Sequence, residues 1–248
     1  MVDAIHEEKS LFEADPAFAG LVVELWKAKQ RQKLAGEERA KLWSAMERWA
    51  NPTLARGPLM LVEGVEVKGR LVAVKRTATV TRVDRAVSSA AAKNHSLATW
   101  ELGVGKVPWM QATPDRRAVG APDLSFLGLP VMGELKGSMK PSELHRRLQR
   151  WSDLKLAEAE REARDALTAY SAENLGFGAE GGWDGSLIQF GDGWKVSLTT
   201  TRYSSDRLKA ANRRLWDRLA VDKTVEVAGH LYFATVDEEE MADLELAD

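Results

Sequence analysis

The chain has 248 residues, no cysteine, four histidines and a formal net charge of -2. That length allows one domain with attachments or two small ones. The composition excludes disulfides, thiolate zinc sites, iron–sulfur clusters and cysteine nucleophiles, and the histidine spacing makes no recognisable metal motif.

The small net charge hides an asymmetry. Residues 51–150 carry 16 basic and 8 acidic side chains, whereas residues 151–248 carry 11 basic and 20 acidic. A basic middle is the footprint expected of a phosphate-binding surface. No apolar run reaches the roughly 20 residues of a membrane span. The start, MVDAIHEEKS, lacks a signal peptide's basic and apolar parts, so a cytoplasmic location is expected.

Residues 5–50 read as a helical hairpin. Leu21, Val22, Leu25 and Trp26 share one face, and Leu42, Trp43, Met46 and Trp49 repeat the spacing. Gly36 punctuates the pair, and Asn51-Pro52 stops it. Residues 59–83 then alternate with β-branched residues. They predict strands at Leu59–Val62, Val65–Val67, Leu71–Val74 and Thr77–Val83, with turns or bulges at Gly64 and Gly69.

Residues 84–120 read as a long irregular loop, of the kind that binds something. Leu124–Leu127 and Leu129–Leu135 suggest a hairpin about Gly128. A helix is expected from Pro141 to about Tyr170, striped by Leu144, Leu148, Trp151, Leu154 and Leu156. The glycines at 176, 178, 181 and 182 read as a flexible loop. They do not form a nucleotide-binding motif.

Ser186–Phe190 and Trp194–Thr201 read as strands joined by Gly191-Asp192-Gly193. Residues 206–220 read as helix or ordered loop. Thr224–Val236 reads as a strand pair or one long strand, and 237–248 as an acidic tail. No internal repeat, low-complexity tract or heptad array stands out. The domain reading is therefore 1–54 helical hairpin, 55–236 main domain and 237–248 tail.

Three stretches carry a resemblance. They are Ala118-Val119-Gly120-Ala121-Pro122-Asp123, then Gly128-Leu129-Pro130-Val131-Met132, then Leu135-Lys136-Gly137-Ser138-Met139-Lys140. In this order they resemble the RAMP superfamily of CRISPR proteins, most closely the backbone subunits of type III and related effector complexes. Gly69-Arg70-Leu71, Phe177-Gly178, Ser186 to Asp192, and Gly229-His230 with Phe233 fall in the family's order.

The resemblance implies an α+β, RRM/ferredoxin-like domain with long insertions. Its implied role is to bind guide RNA, pair that guide with a complementary target nucleic acid, and assemble beside copies of itself and other subunits. No cofactor is needed for binding. The implied RNA contacts are Lys106, Trp109, Arg116, Arg117, Lys136, Gly137, Lys140, Arg146, Arg147 and Arg150. Lys136-Gly137 before a helix suits a phosphate, and Trp109 suits base stacking. Asp123 is the implied candidate for metal-assisted cleavage of target RNA.

Two other readings stay open. Pro122-Asp123, then Glu134-Leu135-Lys136, also spells the PD-(D/E)XK nuclease signature. Asp123 and Glu134 would hold Mg2+, and Lys136 would orient the attacking water or stabilise developing charge. Glu101 would be an upstream acid, with Gln149 on the following helix. The third reading is a non-catalytic assembly protein, with nine tryptophans and the acidic tail serving interfaces.

Overall fold

The computed structural model describes residues 9–55, 59–114, 125, 127–130, 133–135, 139–237 and 239–240. The chain is α+β, with small antiparallel sheets. It divides into two compact units. One comprises 1–32, 83–129 and 156–223, and the other 33–82, 130–155 and 224–248.

Two helices open the described chain, α1 (Leu11–Ala14) and α2 (Pro16–Leu54). Ser10 and Glu13 form a reciprocal capping box on α1. Asp15 accepts the Phe18 N–H at 2.9 Å, as a helix N-cap does. The expected hairpin is not formed: α2 runs unbroken through Gly36. A lone glycine costs a helix only about 1 kcal/mol. Ion pairs Lys33–Glu37 and Lys41–Glu38 flank it on the helix surface. Pro52 falls in the last turn, and the helix ends at Leu54.

In the second unit, β1 (Leu59–Val67) and β2 (Arg70–Arg76) form a hairpin. Lys68 and Gly69 both have positive φ, 54° and 76°, as a two-residue hairpin turn with the strand twist requires. The register shifts between Leu61 and Glu66, around Gly64 with φ 73°. The predicted bulge is therefore present. β8 (Leu231–Val236) pairs with the other edge of β2. This makes β2 central, and Val72, Ala73 and Val74 are all buried. Helix α5 (Pro141–Asp153) packs on β1, burying Leu144, His145, Leu148 and Trp151.

The first unit holds most of what was expected to be loop. Residues 84–113 contain the end of β3 (Val80–Ala86), α3 (Ser89–His95), α4 (Leu97–Gly103) and β4 (Val104–Thr113). Serines start the helices: Ser88 accepts from Ala91 N–H and Ser96 from Thr99 N–H.

The helix expected from Pro141 to Tyr170 is two helices. It stops at Asp153, Lys155 adopts φ 49°, and α6 (Leu156–Asn174) starts anew. Each helix buries its stripe in a different unit, Leu148 and Trp151 in one, Leu167 and Ser171 in the other. A positive φ cannot continue a right-handed helix.

The glycine-rich stretch is tied down rather than free. Phe177 N–H donates to Ser171 O at 3.0 Å, and Ala179 N–H to Gly176 O at 2.9 Å. β5 (Ile188–Gln189) and β6 (Lys195–Tyr203) form the predicted hairpin. β6 also pairs with β4. A core of Phe18, Val22, Leu25, Trp26, Leu167 and Trp194, among others, lies here. Residues 205–219 form α7 (Ser205–Ala211) and α8 (Arg213–Leu219). β7 (Val221–Val227) pairs with β3, so β7 and β8 belong to separate sheets.

These elements reveal a repeat that the sequence reading missed. The order strand, helix, helix, strand occurs as β3-α3-α4-β4 and again as β6-α7-α8-β7. One constant offset without gaps aligns Ser88 with Ser204, Ser89 with Ser205, Lys93 with Lys209, Ser96 with Asn212, Trp100 with Trp216, and Glu101 with Asp217. The contacts repeat too. Trp100 Nε1–H donates to Ser89 Oγ at 3.0 Å, and Trp216 Nε1–H to Ser205 Oγ at 2.8 Å. Lys93 and Lys209 each lie 4.4 Å from the centroid of their own copy's tryptophan ring. Exchanging the copies maps the β4–β6 pair onto the β7–β3 pair, so the strand pairing is reciprocal between the copies. A shared core, including Val87, Ala92, Leu208, Leu215 and Trp216, closes the helices.

Candidate nucleic-acid interface

A cleft of about 880 Å³ opens between the β1 bulge and α5 in the second unit. Its lining includes Gly64 and Val65 on one side and Lys140, His145, Arg146 and Arg150 on the other. The amphipathic pattern of α5 explains the placement. Leu144, Leu148 and Trp151 turn inward, which leaves Arg146 and Arg150 on the outer face. Lys140 is the N-cap residue, followed by Pro141 in the first turn.

The charges in this cleft are unequally engaged. Glu143 takes both Arg146, at 2.6 Å, and Arg147, at 3.0 Å. Those two guanidinium groups hold its carboxyl below the usual range, Arg147 most strongly. Arg147 also donates to Gly133 O at 2.6 Å and is only 18% exposed, so it braces the start of the helix. Asp153, another lining residue, accepts from Gln149. Glu66 completes the acidic lining. Lys140 and Arg150 have no acidic partner among the described residues. His145 meets Phe233 edge-on, and burial pushes its imidazole below its ordinary pKa.

Lys106 and Trp109 lie elsewhere, on β4 in the first unit. Lys106 pairs with Asp184. With the Ser186 hydroxyl and N–H, it holds that carboxyl far below its usual range. A phosphate at Lys106 would compete with that carboxylate. Trp109 falls where the β4–β6 register shifts, between Pro108 and Gln111. It is 46% exposed, and the Arg202 guanidinium lies 3.9 Å from its ring centroid. Sequence reading missed Arg202, and only its exposed place in a strand pattern beside Tyr203 could have flagged it. Gly105 gives Arg207 room: a Cβ there would stand 1.7 Å from Arg207 Nη1. Arg207 donates to Lys106 O at 2.8 Å.

The structure thus gathers Lys140, Arg146 and Arg150 in one cleft of the second unit, whereas Lys106 and Trp109 belong to the first unit. Arg116, Arg117, Asp123, Lys136 and Gly137 lie outside the described residues. So do residues 124, 126, 131 and 132, and residues 238 and 241–248 of the tail; the described residues of the expected 124–135 hairpin are turn and irregular chain, with no strand among them. Glu134 is exposed. Among the described residues, no group of three His, Asp or Glu side chains is placed to hold a metal ion. No helix among them is long and apolar enough to cross a membrane. Compared with protein-family models, curated proteins and solved structures, the chain matches none.

Proposed function

We propose that the chain is an RNA-binding subunit that holds the backbone of a guide RNA in the cleft between β1 and α5. The observation that carries this reading is the pair Lys140 and Arg150. Both line one cleft, and neither has an acidic partner among the described residues. A phosphate entering there would gain two cations without displacing a carboxylate from either. The N-terminal end of a 13-residue helix adds a favourable partial charge.

The resemblance supports the same place, because the Leu135 to Lys140 segment leads directly into α5. On this reading, α5 packed over the β1–β2–β8 sheet forms the helix-on-sheet layer of an RRM-like domain. Copies of the chain would stand side by side along the guide, together with other subunits and a complementary target strand.

The test is a filter-binding titration of the full chain with a single-stranded RNA at several salt concentrations. The variant Lys140→Ala/Arg150→Ala should bind more weakly. Its slope of log K against log salt should be shallower by about 1.4, or about 0.7 per lost phosphate contact. An unchanged affinity and slope would overturn the cleft assignment. Protein purified from its host should also carry short RNAs with one shared constant end. Mg2+-dependent DNA cutting that stops in Glu134→Ala would replace this reading with the nuclease one.

A further inference from the structure

The two copies of the internal repeat share one set of contacts, Ser89–Trp100–Lys93 and Ser205–Trp216–Lys209, and differ in what they show to solvent. At equivalent places stand Leu97 and Arg213, Ala98 and Arg214, Leu102 and Arg218. All six are exposed. In the first copy the position of Arg213 is held by a leucine 64% exposed, and that of Arg218 by one 43% exposed. Trp100 and Trp216 keep the same serine and lysine partners. The α4 helix therefore forms and packs with no cation on its outer face. By that internal comparison, the fold does not require the three arginines of α8.

Their arrangement is also unfavourable in isolation. Arg214 and Arg218 are one helical turn apart, where like charges repel. Neither has an acidic partner among the described residues. Arg213 has only the exposed Asp217, at 3.3 Å, a pair that solvent largely screens. Along 205–219 there are five cations, Arg207, Lys209, Arg213, Arg214 and Arg218, against Asp206 and Asp217. An anionic partner relieves the repulsion and complements the face.

We infer that the outer face of α8, made of Arg213, Arg214 and Arg218, is a second docking surface for the phosphate backbone of RNA. One copy of the repeat carries this surface and the other does not. The inference rests on the RNA-binding reading for the identity of the polyanion. It concerns a different unit from the α5 cleft and is independent of Lys140 and Arg150.

The repeat supplies the test. The variant Arg213→Leu/Arg214→Ala/Arg218→Leu gives α8 the outer residues that α4 already carries, so the scaffold has a precedent for them. A circular-dichroism melt checks folding. If that variant is unfolded, Arg214→Gln/Arg218→Gln removes two charges with good helix formers. Affinity for a labelled single-stranded RNA is then measured across salt. The inference expects weaker binding and a slope shallower by about 0.7 for each cation that contacts a phosphate.

A control, Lys33→Ala/Arg39→Ala/Lys41→Ala, removes the same charge from the exposed surface of α2 and should leave binding unchanged. An equal drop in that control would overturn local docking. Unchanged binding in the α8 variant, with binding still weakened in Lys140→Ala/Arg150→Ala, would sink the α8 surface and spare the cleft. A wild-type chain that binds no RNA would sink both.

Discussion

The imidazole of His145 stands edge-on to the ring of Phe233, with centroids 4.5 Å apart and planes at 81°. Phe233 meets Trp43 as well, at 4.9 Å. A titratable group therefore sits against aromatic surface in the second unit, on the same helix as the cleft cations.

This placement gives a pH dependence. Burial lowers the His145 pKa in the folded state, while the unfolded chain takes up the proton near the ordinary value of about 6.5. Between those two values the unfolded state binds more protons, so stability rises with pH and is lost as pH falls below about 6.5. Thermal melts of the wild type at pH 7 and pH 5 should show that loss. In His145→Gln, the part due to this group should be missing. Equal pH dependence in the two proteins would show that His145 does not contribute.

Two glycines should respond oppositely to alanine. Gly36 lies inside α2 with nothing within 4 Å of an added Cβ. Gly36→Ala should raise stability by about 0.5–1 kcal/mol through helix propensity. At Gly229 an added Cβ would lie 1.8 Å from the Thr77 carbonyl oxygen. That oxygen is backbone, beside a strand end tied by Thr77 N–H to His230 O. Gly229→Ala must move main chain and should cost roughly 1–3 kcal/mol. Urea denaturation of both variants checks the contrast.

The repeated serine–tryptophan bonds should differ in strength. Ser205 Oγ accepts from Trp216 Nε1–H and also from Val87 N–H, at 2.9 Å. Trp216 is buried, so Ser205→Ala leaves an indole N–H unsatisfied and should cost about 1–3 kcal/mol. Ser89 is exposed, and in Ser89→Ala water can replace it for Trp100, holding the loss below about 1 kcal/mol. Chemical denaturation midpoints decide this, and equal losses would count against it.

The Lys106–Asp184 pair should be visible by titration. Lys106 is the largest cause of the low Asp184 pKa, ahead of Ser186. In Lys106→Met the carboxyl should rise toward the ordinary aspartate range, as followed by carboxyl-carbon NMR. Because the folded value lies below the unfolded one, the pair's contribution is present at neutral pH and is lost on acidification. An Asp184 titration that does not move would rule out the ion pair as its cause.

Much of the second unit's sheet is legible in the sequence, because its turns depend on residues with unusual backbone freedom. Gly64 and Lys68-Gly69 mark the bulge and the hairpin turn directly. The Gly191 to Gly193 turn is legible for the same reason. Gly36 misleads because helix continuity depends on both flanks and the packing around them.

Residues 84–103 look irregular because alanines and serines show no apolar stripe. Their helices rest instead on serine caps and a single tryptophan, Trp100. The repeat escapes notice because few positions are identical, and its meaning lies in which serine meets which tryptophan. Of the site, the clustering of Arg146 and Arg150 follows from helical spacing. The engagement of Lys106 by Asp184 is a tertiary contact that no local pattern encodes.

The reciprocal pairing also bears on how the fold is closed. A lone copy of the repeat leaves both of its strands without partners, whereas two copies satisfy them mutually, β4 with β6 and β3 with β7. A chain with one copy alone would close these sheets only by dimerising, and its fold would depend on concentration. Joining two copies in one polypeptide removes that dependence. It also lets the two halves carry different outer helices, one with three arginines and the other with none.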